Sequence, residues 1–297
     1  MKRNPSLTRL VPALACGLLL TTACHRQSEF EYIDEVVVPE STDEPNVTVT
    51  DEDGNETTLP SGSTIGIYVI GEDGTVTLQQ VEVDEDGNAI LPATGEGQTV
   101  IAYTPYQEEW GDSALVTTPT FTVEPAQTTL ETYTASDLLI GKTGETTRAA
   151  EGGMTFQHTM AQVAIHVVDE TGRVNLNHLN AELLDLEGSV SVELINQKVN
   201  TIPGNRKNIQ MLSEMTTDWR ISSYAIVAPQ SVPEGTEFYA ITLYGNRETY
   251  PIPQASELEG GKTYTINLRL TAHGLIADGW SITDWNTESE QDIDVKI

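Results

Sequence analysis

Short runs of alternating apolar and polar residues, each closed by a turn signal, limit this chain more than any other feature. "TIGIYVI" is followed by "GEDG", then by "TVTLQQVEV", "DEDG" and "NAILP". A period of two places successive side chains on opposite faces of a pleated strand. Asp-Gly between two such runs predicts a hairpin, because glycine accepts the positive φ of a tight turn. Strands continue through "TVIAYTPY" and "TPTFTVEP". In "KTYTINLRLT", Tyr264, Ile266, Leu268 and Leu270 face one way, and Thr265, Asn267 and Arg269 the other. "EFYAITLYG" likewise puts Tyr239, Ile241 and Leu243 on one side, and only "LNHLNAELLDL" leaves room for a short helix. Many short strands separated by Gly, Pro and Asp-Gly turns predict an all-β, sandwich-type architecture, twice over. The small, polar, glycine-rich stretch "GKTGETTRAAEGG" (141–153) is the expected boundary between the two halves.

The first residues read as an export signal. Lys2, Arg3 and Arg9 form a basic region, residues 10–20 a short apolar one, and Thr21 and Ala23 are the small residues of a cleavage site. That apolar run falls short of the roughly 20 residues a membrane-spanning helix needs. Cleavage between Ala23 and Cys24 would leave the Cys24 thiol free for acylation, as in a bacterial lipobox. The position three before the cysteine holds Thr21 rather than the usual Leu, and Cys16 is the rival site, with only residues 10–15 as its apolar core. After removal of residues 1–23, Cys24 is the one cysteine left, so no internal disulfide can form. The rest must be held by hydrophobic cores, and its length suits one large or two ordinary domains.

Charge excludes some partners. The chain has a formal net charge of −30, and without the three bases of the signal it has 12 bases against 45 acids. Such a charge repels nucleic acid and anionic lipid and favours solubility. Between Arg26 and Lys142 there is no Lys or Arg, against 24 Asp and Glu. Residues 24–45 are an acidic tether with a candidate first strand at Val36, Val37 and Val38.

Sites of chemistry are sparse. "DEDGN" (51–55 and 84–88) has glycine fourth, and the twelfth positions are Gly62 and Gly95, whereas an EF-hand needs glycine sixth and glutamate twelfth; both stretches read as turns. There is no G-x-S-x-G elbow, P-loop lysine, H-E-x-x-H or paired-cysteine ligand set, and "TGEGQTV" lacks the third glycine and the lysine of a phosphate loop. His158 and His166 fall in one expected strand, "TFQHTMAQVAIHV", roughly 26 Å apart, which is too far to share a metal. The acids cluster in turns, where solvation accounts for them, although a carboxylate pair of glycosidase type is one rival reading. No catalytic, cofactor-binding or metal site is expected. A glycan-binding β-sandwich lipoprotein is the other rival, and it would need an aromatic platform, for which Trp110 in "YQEEWGD" is the candidate.

Several motifs, in order, resemble the Bacteroidales fimbrillins, the FimA- and Mfa-like fimbrial subunit lipoproteins. "MTFQHTMAQVAIHV" is similar to the strand that opens their second domain, and "AYTPYQ" and "ASDLLIG" to first-domain signatures. "AIVAPQSV", "LEGGKTYTINL" and "WSITDW" are similar to their closing strands. The resemblance implies two tandem transthyretin-like β-sandwich domains, at 46–145 and 146–297. It implies export as an outer-membrane lipoprotein through Cys24 and assembly with other fimbrial subunits into a surface fimbria by strand addition. Host surface proteins or glycans would be further partners. In such subunits an extended strand of one copy fills a groove of the next. Processing in the family often follows an arginine; once residues 1–23 are removed, only Arg26 is available before Lys142. The C-terminal "QDIDVKI" has Ile293, Val295 and Ile297 on one side and is the candidate donor strand, the other reading being that it pairs within its own domain. Asp112-Ser113-Ala114 resembles a Bacteroidales O-glycan site, which makes Ser113 the candidate acceptor.

Overall fold

The structure is a computed structural model and describes residues 47–50, 56–85, 89, 98–142, 154–217, 219–252 and 254–285. Eight strands come first in the chain: β1 (Val47–Thr50), β2 (Glu56–Thr58), β3 (Thr64–Ile70), β4 (Val76–Glu82), β5 (Thr99–Thr104), β6 (Thr120–Thr122), β7 (Leu139–Lys142) and β8 (Met154–His158). A one-turn helix, α1 (Leu130–Thr134), lies between β6 and β7. Six strands follow: β9 (Ala161–Asp169), β10 (Leu179–Glu187), β11 (Ser189–Glu193), β12 (Lys198–Thr201), β13 (Arg206–Gln210) and β14 (Leu212–Thr217). The last seven are β15 (Arg220–Val227), β16 (Gln230–Val232), β17 (Glu237–Leu243), β18 (Asn246–Pro251), β19 (Ser256–Leu258), β20 (Lys262–Thr271) and β21 (Gly274–Asp284). The all-β class expected from the alternation is what forms.

The largest sheet has seven strands in the order β2-β1-β8-β7-β5-β3-β4. Its hairpin β3–β4 turns where "GEDG" predicts. The Gly71 and Gly74 amides bond across the turn, Gly74 has φ +78°, and the Asp73 carboxylate accepts from the Thr75 amide and hydroxyl. Its central strands are apolar on both faces. Ile65, Ile67, Val100, Ala102 and Leu139 join Leu59 and Phe156 in one cluster, while Tyr68, Ile101, Tyr103 and Ile140 join the main core. Gly66 lies on the Tyr103 face, where a Cβ would come within 2.4 Å of that ring.

A five-stranded sheet, β14-β15-β9-β20-β21, carries much of the main core, with β9 and β20 parallel. Tyr264, Ile266 and Leu268 of β20 are buried, as their spacing predicts. Smaller sheets are β13-β10-β17-β18, β12-β11-β6 and β16-β19. In β17 the burial runs through Phe238, Tyr239, Ala240 and Ile241 instead of alternating, because both faces of that strand are covered.

Two expectations need correcting. "LNHLNAELLDL" is not a helix: a 3₁₀ turn at Leu176–His178 leads straight into β10. Leu179, Ala181 and Leu183 alternate, then Asp185 takes φ +51° at a register shift against β13, and Leu186 resumes the buried face. That bulge disguises a period of two as a helical one. The helix that does form, α1, is set by a capping box between Thr129 and Thr132. The single strand expected over 155–167 is two strands. β8 pairs with β7 and β1 in the first sheet, and β9 pairs with β15 and β20 in the five-stranded one. The described residues fall in one compact unit. The signal, the tether, the 51–55 turn and most of the 141–153 stretch lie outside the described residues.

Candidate assembly surface

A strand at the rim of a sheet shows a row of unpaired N–H and C=O groups, which natural proteins blunt with Lys, Pro, bulges or cover. Among the described residues β21 is such a rim. Over eleven residues it pairs only with β20. It contains neither Lys nor Pro; its defences are a bulge at Asp278 and the charges of Asp278 and Asp284. Ile276 and Ile282 are 45% and 49% exposed. Ile282 stands opposite Tyr264, on the face that is core for β20, so the apolar face runs out to the rim uncovered. β4 is a second rim, "VTLQQVE", again without Lys or Pro.

The far end of β21 is pinned. Lys262 pairs with Asp284, and the Trp285 amide donates to the Gly261 carbonyl at 2.8 Å. The buried Trp285 ring stacks on His158, centroids 4.0 Å apart and planes at 12°. His158 Nδ1 lies 3.0 Å from Asp137 Oδ1. The latch thus ties the C-terminal strand to β8 and to the loop before β7. His166 is engaged elsewhere, with Ser222 Oγ at 2.9 Å, so the two histidines share no site. No group of three or more His, Cys, Asp or Glu side chains suited to a metal occurs among the described residues.

Beside the latch lies an open groove of about 420 Å³. Its walls are the end of β8, the start of β12, Gln230 and the β19–Gly260 segment. Gln230 is fixed by accepting from the Glu187 amide and donating to the Glu187 and Ala228 carbonyls. Its ionisable side chains are His158, Lys198, Glu257 and Glu259. The arrangement offers polar contacts in an open groove. His158, the one ring with general-base chemistry, is held by Asp137 and Trp285.

Of the residues singled out from sequence, Ser113 is exposed on a 3₁₀ turn, and its carbonyl accepts from the Val116 and Thr117 amides. Trp110 is not a platform: it is 4% exposed and stacks on Tyr103 at 4.6 Å, so the turn buries the ring that the sequence reading placed at the surface. Ala23, Cys24, Ile293, Val295 and Ile297 lie outside the described residues. Sequence reasoning missed the latch, because Asp137, His158 and Trp285 are far apart in the chain. It also missed Gln127, which looks like linker in "EPAQTT" but is fully buried.

A family model described as fimbrillin-like matches residues 40–285. Among solved structures, a putative cell adhesion protein from Bacteroides ovatus ATCC 8483 is similar at TM-score 0.62 and 17% identity, over 83% of this chain and 97% of that one. A second, from Bacteroides uniformis ATCC 8492, is similar at TM-score 0.60 and 17% identity, over 83% of this chain and 100% of that one. No curated protein sequence matches.

Proposed function

This chain belongs to the fimbrillin-like family, and from that premise we propose that it is a structural and adhesive subunit of a cell-surface fimbria, without catalysis. It is exported as a lipoprotein, acylated on Cys24, held at the outer membrane and joined to neighbouring subunits by strand addition. The observation that supports this reading is β21, a long rim with exposed Ile276 and Ile282 that presents both unpaired backbone groups and apolar cover to an incoming strand. Ile293, Val295 and Ile297 are the apolar side of the proposed donor. Two transthyretin-like sandwiches, 46–145 and 146–297, are the proposed division, with β8 crossing back to complete the first sheet. Ser113, exposed on its turn, is the proposed O-glycan acceptor. Intact-mass comparison of native protein with Ser113→Ala tests that assignment, and equal masses after allowing for the substitution refute it.

Immunogold electron microscopy of cells carrying the protein is the test of the function. Gold on filaments is expected, at the shaft, tip or base, and deletion of the coding sequence should remove the label. Gold spread over the surface of cells whose filaments stay unlabelled would overturn the reading. Cys24→Ser should shift the protein out of the membrane fraction; unchanged fractionation refutes the lipid anchor.

A further inference from the structure

The end of β21 is fixed beside a face to which strand addition alone gives no role. The Trp285 amide donates to the Gly261 carbonyl at 2.8 Å, and the Gly261 amide donates to the Met160 carbonyl at 2.9 Å. Lys262 pairs with Asp284, the residue before Trp285. The Trp285 ring is buried and stacks on His158, and His158 is itself a wall of the open groove. Trp285 is therefore a fixed point at the edge of that groove. The candidate donor strand starts at Gln291, six residue steps further on. Six steps of fully extended chain span at most about 22 Å. That is well short of the roughly 37 Å of a strand as long as β21.

The face around this point is exposed and held in shape. Two of the groove's walls come from β12 and β19, each of which pairs on one side only among the described residues. Lys198, Glu257 and Glu259 line the groove and are exposed. Gln197, another wall, follows the 3₁₀ turn Leu194–Asn196, where Ile195 is 44% exposed. Two residue steps keep Ile195 within about 7 Å of that wall. The turn is tied down: Lys142 Nζ donates to the Ile195 carbonyl at 3.4 Å, and Gln197 Nε2 donates to the Ile140 carbonyl at 3.3 Å. A lone exposed isoleucine is ordinary on a protein surface. What singles this one out is its place beside the root of the tail. A face already held in shape loses little freedom when a partner covers it.

We infer that the groove face, with Ile195 at its margin, is the surface that meets a second copy of this chain, the copy that accepts the tail. The inference rests on the reading of residues 291–297 as a donor strand. A donor strand lies about 4.8 Å from the rim it pairs with, so the rim of the accepting copy comes up beside it. The short tether then holds the start of that pairing within about 22 Å of Trp285, and the groove face is the donor's surface at that point. A second copy is the fitting occupant, because its β21 offers exposed Ile276 and Ile282 next to a free backbone row. Strand and face then act as two linked contacts. Making one raises the effective concentration for the other, so the tail alone does not carry the whole affinity.

A biosensor experiment tests the inference. The intact chain is tethered at low density, and the chain lacking 291–297, which has no donor strand, is titrated over it. A peptide of residues 286–297, tethered in the same way, reports the tail alone. The intact chain should hold the truncated copy about 100-fold more tightly than the peptide does. Ile195→Glu in the tethered chain should weaken that binding by about tenfold, the worth of one interface anchor, while melting with the parent. A Gly-Ser insertion of about ten residues after Thr287 leaves face and strand unaltered but lengthens the tether. It should lower the affinity about fourfold, as effective concentration falls with tether length, and it decides the matter if Ile195→Glu melts low. The inference is overturned, with the donor reading intact, if peptide and intact chain bind equally, or if both variants bind like the parent. It falls together with the donor reading if neither tethered species binds the truncated chain. It falls with it too if truncation clearly lowers the melting temperature of the monomer, which places the tail on its own chain.

Discussion

Gln127 stands in for a strand where the sheet has none. Its side-chain carbonyl accepts from the Ile226 amide and its side-chain amide donates to the Ile226 carbonyl, both at 2.7 Å, with a further bond to the Glu124 carbonyl. Gln127→Leu keeps the bulk but leaves both Ile226 groups buried without partners. Each orphaned group costs about 1–3 kcal/mol, so a loss of about 2–4 kcal/mol is expected. A lowered urea midpoint with an unchanged m-value would show it, and an unmoved midpoint would refute the role. Asp169 is the second such residue. Burial taken alone raises its carboxyl, but the hydrogen bonds from the Val174, Thr171 and Arg173 amides and the Thr171 hydroxyl outweigh it, and the group sits below its ordinary value. A depressed carboxyl stabilises the fold fully above the unfolded value, near pH ~3.9, and that stability is lost as pH falls through the lower folded value. Asp169→Asn cannot titrate and turns an amide toward N–H donors. The gap in melting temperature between parent and variant should hold from neutral pH down to about 4–5 and narrow below; a gap independent of pH would sink the assignment. Neither role was legible in the sequence, because both depend on a backbone partner brought up by tertiary structure.

Strands were more legible than their cover. Spacing alone gave β20 and its buried Tyr264, Ile266 and Leu268, and "GEDG" gave the β3–β4 turn. It also gave β3 and β17 as strands; what it missed was that both are apolar on both faces, where alternation stops carrying information. Gly66 shows the cost of that double cover. It faces Tyr103, whose ring is fully buried and stacks with Tyr68 at 5.9 Å and Trp110 at 4.6 Å. A methyl group at Gly66 would meet that ring at 2.4 Å, and the ring is held on both sides. Gly66→Ala should therefore destabilise by about 1–3 kcal/mol, as overpacking of a tight core does, although alanine suits a strand better than glycine. Thermal melting decides it: a variant as stable as the parent would mean that the aromatic column can shift. The bulge in β10 belongs to the same scale. One residue at φ +51° moved the phase of the apolar pattern and made a strand read as a helix.

At the scale of the whole molecule, family and class were legible because they rest on many weak motifs in a fixed order, while the assembly surface was not, because a rim exists only once a sheet is ordered. The two come together at Trp285. It closes β21 on its own latch, and the donor candidate "QDIDVKI" follows a few residues later. Deletion of 291–297 separates the two readings of that segment. Seven residues of strand reach roughly 23 Å, long enough to lie along most of a rim such as β21. If the segment pairs within its own chain, deletion strips apolar cover at roughly 1.5–3 kcal/mol per buried side chain, and Ile293, Val295 and Ile297 together would lower the melting temperature clearly. If it is a donor, the monomer keeps its latch and its core, since Trp285 and everything before it remain. The truncated chain should then melt nearly as the parent does and still accept the tail of an intact copy on its own rim, yet donate to none. Mixed with intact subunits it should end filaments instead of extending them, and alone it should form none. A truncated chain that melts much lower, or that polymerises alone, would rule out the donor role.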